Sequence, residues 1–323
     1  MRNRLLVRAT LGAVLVVLCP RAADAQIYES VGIRAQGMAG AFVAVADDAT
    51  ATWWNPAGLA TGAYFSGVVE YYGLTEPRRG SDSTDPPLAD PRSHAGGLAL
   101  AFPALGLSYY RLHISEIRPP QSTATGPPDR QDQGVVDVGL LSSDIDQFGA
   151  SVGQSLGEHL VIASTLKLVH AQSETHGGLD VGAMVSFGVA RFGLAVRNGT
   201  APRFGSGAAG VVLDRQARAG VALTFGGNGP TGRVTLALDA DLTRTTTALG
   251  AERHVAGGIE AWTLRRRLGL RGGLRADTAG HARAVIAGGA SVALRPAMYV
   301  DGEATFGADQ ARRGWGLALR VTF

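Results

Sequence analysis

The sequence predicts an all-β protein, a transmembrane antiparallel β-barrel of about 14 strands with an N-terminal hatch or plug segment. Three observations predict it. The last nine residues, Trp315 to Phe323, set apolar side chains on every second position and finish on an aromatic. From Gly62 onward the chain divides into segments of about ten residues with the same alternation, the length a tilted transmembrane strand needs. Long and short connections alternate between those segments, as surface loops and periplasmic turns do in an outer-membrane barrel.

At the amino terminus, Arg2, Arg4 and Arg8 precede an apolar run from Ala9 to Leu18, and Ala23-Asp24-Ala25 precedes Gln26. This reads as a secretory signal peptide over residues 1–25, cleaved after Ala25. The run is too short to cross a bilayer as a permanent helix. Cys19 is the only cysteine and lies inside that segment, behind a Leu18 too bulky for a lipoprotein cleavage site. A mature chain without it would have no thiol and no disulfide. Removing residues 1–25 also takes Arg2, Arg4, Arg8, Arg21 and Asp24, which leaves 26 basic and 26 acidic residues. Nothing in that neutral balance points to nucleic acid. No later apolar stretch has the length of a spanning helix, so membrane residence implies a closed barrel, in which every backbone polar group is paired.

Residues 26–61 read as a hatch. The run from Met38 to Ala46 is apolar without strict alternation, comes before the first strand, and is expected to bury itself within or beneath the barrel. Met38, Phe42, Val43 and Val45 are its candidate ligand-lining side chains. Asp48 is placed to cap a helical turn running through Trp53. Asn55 is placed to cap a second turn, with Pro56 at its first position and Gly58 at its end. Asp47-Asp48 could also bind a cation, but a capping role fits the spacing better, and no metal or cofactor site is expected.

Residues 62–323 form the barrel, with strands placed near 62–73, 93–102, 104–115, 144–156, 158–170, 178–188, 190–198, 211–226, 231–243, 251–264, 267–277, 281–294, 296–307 and 312–323. One parity is apolar and the other carries the charge. Val234, Leu236 and Leu238 alternate with Thr235, Ala237 and Asp239. The inward parity near the carboxyl end supplies a ladder of Glu260, Arg271, Arg275, Arg283, Arg295, Asp301, Glu303 and Arg320. Cross-strand pairing that holds the barrel together is its simplest role; selective conduction is the alternative. In the last strand Trp315, Leu317, Leu319, Val321 and Phe323 face lipid, and this strand is the expected signal to the barrel assembly machinery. A soluble sandwich has no reason to alternate loop lengths, and no motif recurs at the fixed period of a propeller.

Two motifs are decoys. Gly149-Ala150-Ser151-Val152-Gly153 spells a serine-hydrolase elbow but sits inside a strand, where the required strand-turn-helix is missing. Gly205 to Gly210 spells a dinucleotide fingerprint but lies in a loop before another strand. The seven histidines have no metal-ligand spacing and are expected at the surface or rim. No enzymatic activity is expected.

The run Gly37, Gly40, Phe42, Ala46-Asp47-Asp48-Ala49 and the box Asn55-Pro56-Ala57-Gly58 resemble the amino-terminal signature of the FadL-type outer-membrane transporters and the related PorV/PorQ group. The match covers about thirty residues, and the barrel pattern agrees over the rest. The resemblance implies a fourteen-stranded barrel whose hatch blocks the lumen; in the FadL branch, hydrophobic molecules bind inside and leave sideways into the membrane. The chain departs from that branch in its shorter length, its charged lumen, and polar loops from Thr75 to Ser93 and from Ser115 to Asp144. These features are nearer the PorV-like branch, whose members bind secreted proteins. The leading expectation is passive passage of a small hydrophobic ligand across the outer membrane, with outer-membrane lipid around the barrel. The second is an adaptor that binds a secreted or periplasmic protein.

Overall fold

The computed structural model describes residues 31–75, 92–117, 140–205, 211–227, 232–247, 250–263, 265–279, 283–307 and 313–323. The signal-peptide reading, most of the two long loops and residues 206–210 of the dinucleotide decoy lie outside them.

Fourteen antiparallel strands pair in sequence order and close on themselves. In the first half they are β1 (Ser66–Thr75), β2 (Arg92–Phe102), β3 (Leu105–Ile117), β4 (Leu140–Leu156), β5 (Leu160–Ala171), β6 (Glu174–Phe187) and β7 (Ala190–Arg197). The second half is β8 (Gln216–Gly226), β9 (Arg233–Asp241), β10 (His254–Thr263), β11 (Leu268–Asp277), β12 (Ala284–Arg295), β13 (Met298–Gly307) and β14 (Arg313–Thr322). Two short hairpins, Arg203–Phe204 with Val211–Val212 and Thr245–Thr247 with Gly250–Glu252, stand outside the main sheet. β1 pairs with β14 over ten residues, from Ser66 opposite Thr322 to Thr75 opposite Arg313. Closure leaves the sheet no unpaired edge in lipid.

The seam extends one residue beyond those strands. Phe65 and Phe323 exchange both backbone hydrogen bonds, at 2.9 and 3.0 Å, and their rings stack at 5.2 Å. The first strand therefore begins at Ser66 rather than 62, because residues 56–61 are still in a 3-10 turn and the chain must descend from it to Phe65.

Side-chain parity follows the sequence alternation. On β14, Trp315, Leu317, Leu319 and Phe323 are exposed and Val321 half-buried, while Gly316, Ala318 and Arg320 are buried. On β9, Val234, Leu236 and Leu238 are exposed, whereas Thr235, Ala237 and Asp239 are buried. Two details differ from expectation. β5 and β6 join on the long-loop side through Gln172 and Ser173 alone, both at positive φ (50° and 66°), where a longer loop was expected. That is the backbone a two-residue hairpin needs to match strand twist. Arg295 is exposed rather than inward, because the β12–β13 register shifts between Ala293 and Arg295 and reverses the parity beside the turn.

Candidate functional site

The lumen is filled by the chain itself. Residues from Val31 to Leu59 are almost all buried, folded as two short helices, α1 (Ile33–Gly37) and α2 (Ala51–Trp54), then the turn Pro56–Thr61. Such short helices have little stability of their own. Inward-facing wall groups hold them. Glu70 accepts hydrogen bonds from the backbone N–H of Gly32 at 2.8 Å and of Ile33 at 3.0 Å. Asp239 accepts from the N–H of both Phe42 and Val43 at 2.8 Å. Each carboxylate satisfies two backbone donors that would otherwise be buried unpaired.

The fit depends on glycines in the wall. A Cβ on Gly273 would lie 2.4 Å from the Met38 carbonyl, one on Gly193 2.6 Å from that of Val43, and one on Gly316 2.2 Å from the Ile33 side chain. These inward glycines let the segment's backbone lie against the strands. From sequence these wall glycines are assigned no role. Their inward parity opposite the apolar run was the available signal.

Around the glycine seat the charged ladder closes on one residue of the segment. Arg34 meets Glu260 with Nε to Oε1 at 2.6 Å and Nη2 to Oε2 at 2.5 Å. Its Nη1 reaches Asp48 at 3.1 Å and also Asp47. Burial alone would lower the Arg34 pKa, but Asp47 and Glu260 outweigh it and hold the guanidinium charged. Burial likewise pushes the Asp47 carboxyl up, yet Arg34, Arg191 and Arg233 together hold it well below the usual carboxylate range. The ladder continues through Arg271, 3.6 Å from Glu260 and 3.4 Å from Asp301, to Arg320, whose Nε donates to Asp301 at 2.8 Å. Glu303 accepts from Thr305 at 2.8 Å, Arg283 lies 3.7 Å from Glu252, and Arg275 is buried. The ladder thus joins strand to strand, as expected from sequence, and also wall to segment, which was not. His254, expected at the surface or rim, is buried between Asp241 and Glu252.

The capping expectations divide. Asn55 Oδ1 accepts from Ala57 N–H at 3.1 Å with Pro56 at the first position of the turn, as expected. Asn55 Nδ2 donates to the carbonyls of Val43 at 3.0 Å and Ala183 at 3.2 Å, which fastens the Asn55-Pro56-Ala57 box to β6. Gly58 does not end that turn, which runs to Thr61; a Cβ there would stand 1.9 Å from the Ala46 carbonyl. Asp48 does not cap α2, whose N-cap is Thr50 without a side-chain cap; it accepts instead from the Thr50 N–H at 2.9 Å and hydroxyl at 2.5 Å, which holds the residue just before the helix. Asp47 makes ion pairs instead of a cap.

Met38, Phe42, Val43 and Val45 are at most 1% exposed. Phe42 packs edge-on against Trp54 at 6.2 Å, and the Arg34 guanidinium lies over the Phe42 ring at 5.2 Å. In this arrangement the four side chains contact protein on all sides. Ser151 of the hydrolase decoy lies in the middle of β4, its hydroxyl 2.7 Å from that of Thr165.

No family model matches the chain, and no curated protein matches it by sequence. Its fold has clear counterparts among solved structures. The CymD monoaromatic hydrocarbon channel superposes with a TM-score of 0.64 at 11% identity, covering 91% of this chain and 98% of that one. The toluene transporter TbuX of Ralstonia pickettii gives 0.61 at 11% identity, covering 91% and 99%. A FadL homologue of Pseudomonas aeruginosa gives 0.56 at 12% identity, covering 93% and 99%. With its closed fourteen-stranded wall and apolar outer face, this chain has the fold of the FadL-type outer-membrane transporters.

Proposed function

We propose that the protein is a passive channel for small hydrophobic molecules across the outer membrane, and that residues 31–59 are its plug. The observation that carries this reading is the seating of Met38, Phe42, Val43 and Val45. An apolar strip lies fully buried against a wall made smooth by glycine, in a barrel shaped like hydrocarbon channels. Because those side chains are close-packed, a solute can pass only when the strip moves. The strip is held by a countable set of polar ties, at Arg34, Glu70 and Asp239, and by the Asn55 box. With the box fixed on β6 as the pivot, displacement of Met38–Val45 exposes an apolar surface beside small wall residues. A hydrophobic solute gains about 25 cal/mol for each Å² it hides there, whereas a polar solute loses its hydration without compensation. Exit through the wall, which the family resemblance implied, would require breaking strand pairs, since pairing between neighbouring strands is continuous apart from the shift near Ala293.

The test is flux into proteoliposomes of purified protein whose outer leaflet is lipopolysaccharide, which slows unassisted entry of a hydrocarbon, comparing radiolabelled toluene with a small neutral sugar. The proposal expects toluene to equilibrate faster than in protein-free vesicles, with the sugar unchanged. Toluene flux equal to that of protein-free vesicles would overturn it.

A further inference from the structure

The short-turn end of the wall, which faces the periplasm in barrels of this type, is strongly basic on one side. Its described residues include Arg191 at the start of β7, Arg233 at the start of β9, Arg265, Arg266 and Arg267 between β10 and β11, and Arg295 at the end of β12. These follow one another along the rim from β7 to β13. The other side, from β1 to β6, offers Glu158 and His159 at the β4–β5 turn and no arginine among the described residues.

Half of these arginines are already engaged. Arg191 donates to the Thr61 hydroxyl at 3.2 Å, Arg233 lies 3.6 Å from Asp47, and Arg266 lies over the Trp262 ring at 5.6 Å. Arg265, Arg267 and Arg295 are exposed and, among the described residues, meet no carboxylate. The Arg267 carbonyl accepts from the Ala293 N–H at 2.9 Å, so this turn stands beside the end of β12, with Arg295 two residues further on. Next to them on the outward face, Leu270, Val292 and Leu294 are all exposed. Arg265 and Arg266 hold positive φ (54° and 64°), turn positions that glycine or asparagine fills with less strain. Cationic side chains thus stand where the backbone favours small ones, at the foot of an apolar wall.

That juxtaposition fits an amphiphile. A free anion would use the arginines and leave the leucines in place, and an apolar chain alone would gain nothing from the charges. A head group that adds an ammonium to its phosphate would bring a cation among three arginines with no carboxylate to receive it. We infer that this part of the rim binds a phospholipid of the periplasmic leaflet whose head group is net anionic, a phosphate without an ammonium, as in phosphatidylglycerol. The phosphate sits between Arg267 and Arg295, Arg265 adds to the same field, and an acyl chain lies along Val292 and Leu294. Guanidinium groups offer phosphate oxygens paired donors in a matching plane.

Native mass spectrometry of the full chain in detergent tests this, with equal amounts of phosphatidylglycerol and phosphatidylethanolamine. The expected result is retention of phosphatidylglycerol over phosphatidylethanolamine by about fivefold or more, the effect of one arginine near an anionic lipid surface. Arg267→Gln combined with Arg295→Gln should abolish the preference. Arg111→Gln combined with Arg203→Gln, which removes the same charge at the long-loop end, should leave it unchanged, with heat-modifiable migration confirming that each barrel is folded. Equal retention of the two lipids by the unaltered protein, or the same preference in both double variants, would overturn the assignment. Glycerol phosphate, a head group without chains, should not be retained; its retention as strongly as phosphatidylglycerol would mark a site for a soluble anion and overturn the lipid assignment. This readout does not depend on transport, so it stands or falls apart from the channel reading.

Discussion

Arg34 and Glu260 face one another fork to fork, two guanidinium nitrogens on two carboxylate oxygens at 2.6 and 2.5 Å, joining the amino-terminal segment to strand β10 inside the barrel. Both are buried, and they form the closest pair of a cluster in which Arg34 also meets Asp47 and Asp48 and Glu260 also meets Arg271. Breaking such a pair leaves an uncompensated buried charge, which costs about 3–5 kcal/mol. Arg34→Gln should therefore loosen the segment while leaving the wall closed. Planar-bilayer recordings should register larger or more frequent ion conductance than the unaltered protein, and unchanged conductance would mean that Arg34 is not a tie.

The same cluster sets a pH dependence. Asp47 is held well below the usual carboxylate range, because Arg34, Arg191 and Arg233 outweigh its burial. A lowered pKa contributes stability that is fully present above the ordinary aspartate value of about 3.9 and is lost as pH falls toward the folded value. Protease protection of the segment in proteoliposomes should thus be flat from pH 7 to about pH 5 and decline only below about pH 4. Asp47→Asn should weaken protection at neutral pH and flatten its acid decline. A decline centred near pH 6 would assign control to another group.

The glycine seat gives a steric test. In Gly273→Val the added carbon would fall 2.4 Å from the Met38 carbonyl, a backbone atom that cannot rotate away. The segment should be displaced and the barrel retained. Heat-modifiable migration should stay normal while conductance rises; normal migration with unaltered conductance would show that Met38 does not seal the lumen.

Facing in the membrane is testable on adjacent residues of one strand. Leu319 points outward and Ala318 is buried. Leu319→Arg should cost about 2–4 kcal/mol if it lies near mid-membrane and reduce the assembled fraction, whereas Ala318→Ser should be nearly silent. Equal effects on gel migration would contradict the assigned parity. The buried Thr235 hydroxyl lies 3.2 Å from that of Thr224, so Thr235→Arg would probe crowding, not facing.

The wall was legible in the sequence because strand alternation is local: Leu317 and Ala318 declare their faces without knowing any distant partner. The Asn55-Pro56 turn was legible for the same reason, its cap lying two residues from the N–H that donates to it. The ties between segment and wall were not. Asp239 receives the Phe42 and Val43 N–H groups from almost 200 residues away in the chain, and a carboxylate on a lumen-facing parity looks alike whether it meets water, an arginine or a backbone amide. Gly58 reads locally as a helix terminator, and only the approach of the Ala46 carbonyl reveals its use. The bulge that turns Arg295 outward likewise depends on the register of two strands and leaves no mark in the alternation of one.

The central claim is that Met38–Val45 must move for a hydrophobic solute to pass. A Cβ at position 258 would lie 2.9 Å from the Met38 Cβ, so with a small shift Met38→Cys and Gly258→Cys reach the separation of about 3.5–4.5 Å that a disulfide spans. The most direct measurement is toluene flux through this double variant in proteoliposomes with a lipopolysaccharide outer leaflet, first oxidised and then reduced. The account predicts flux near the protein-free level when the bond is closed and recovery on reduction; equal flux in both states would contradict it.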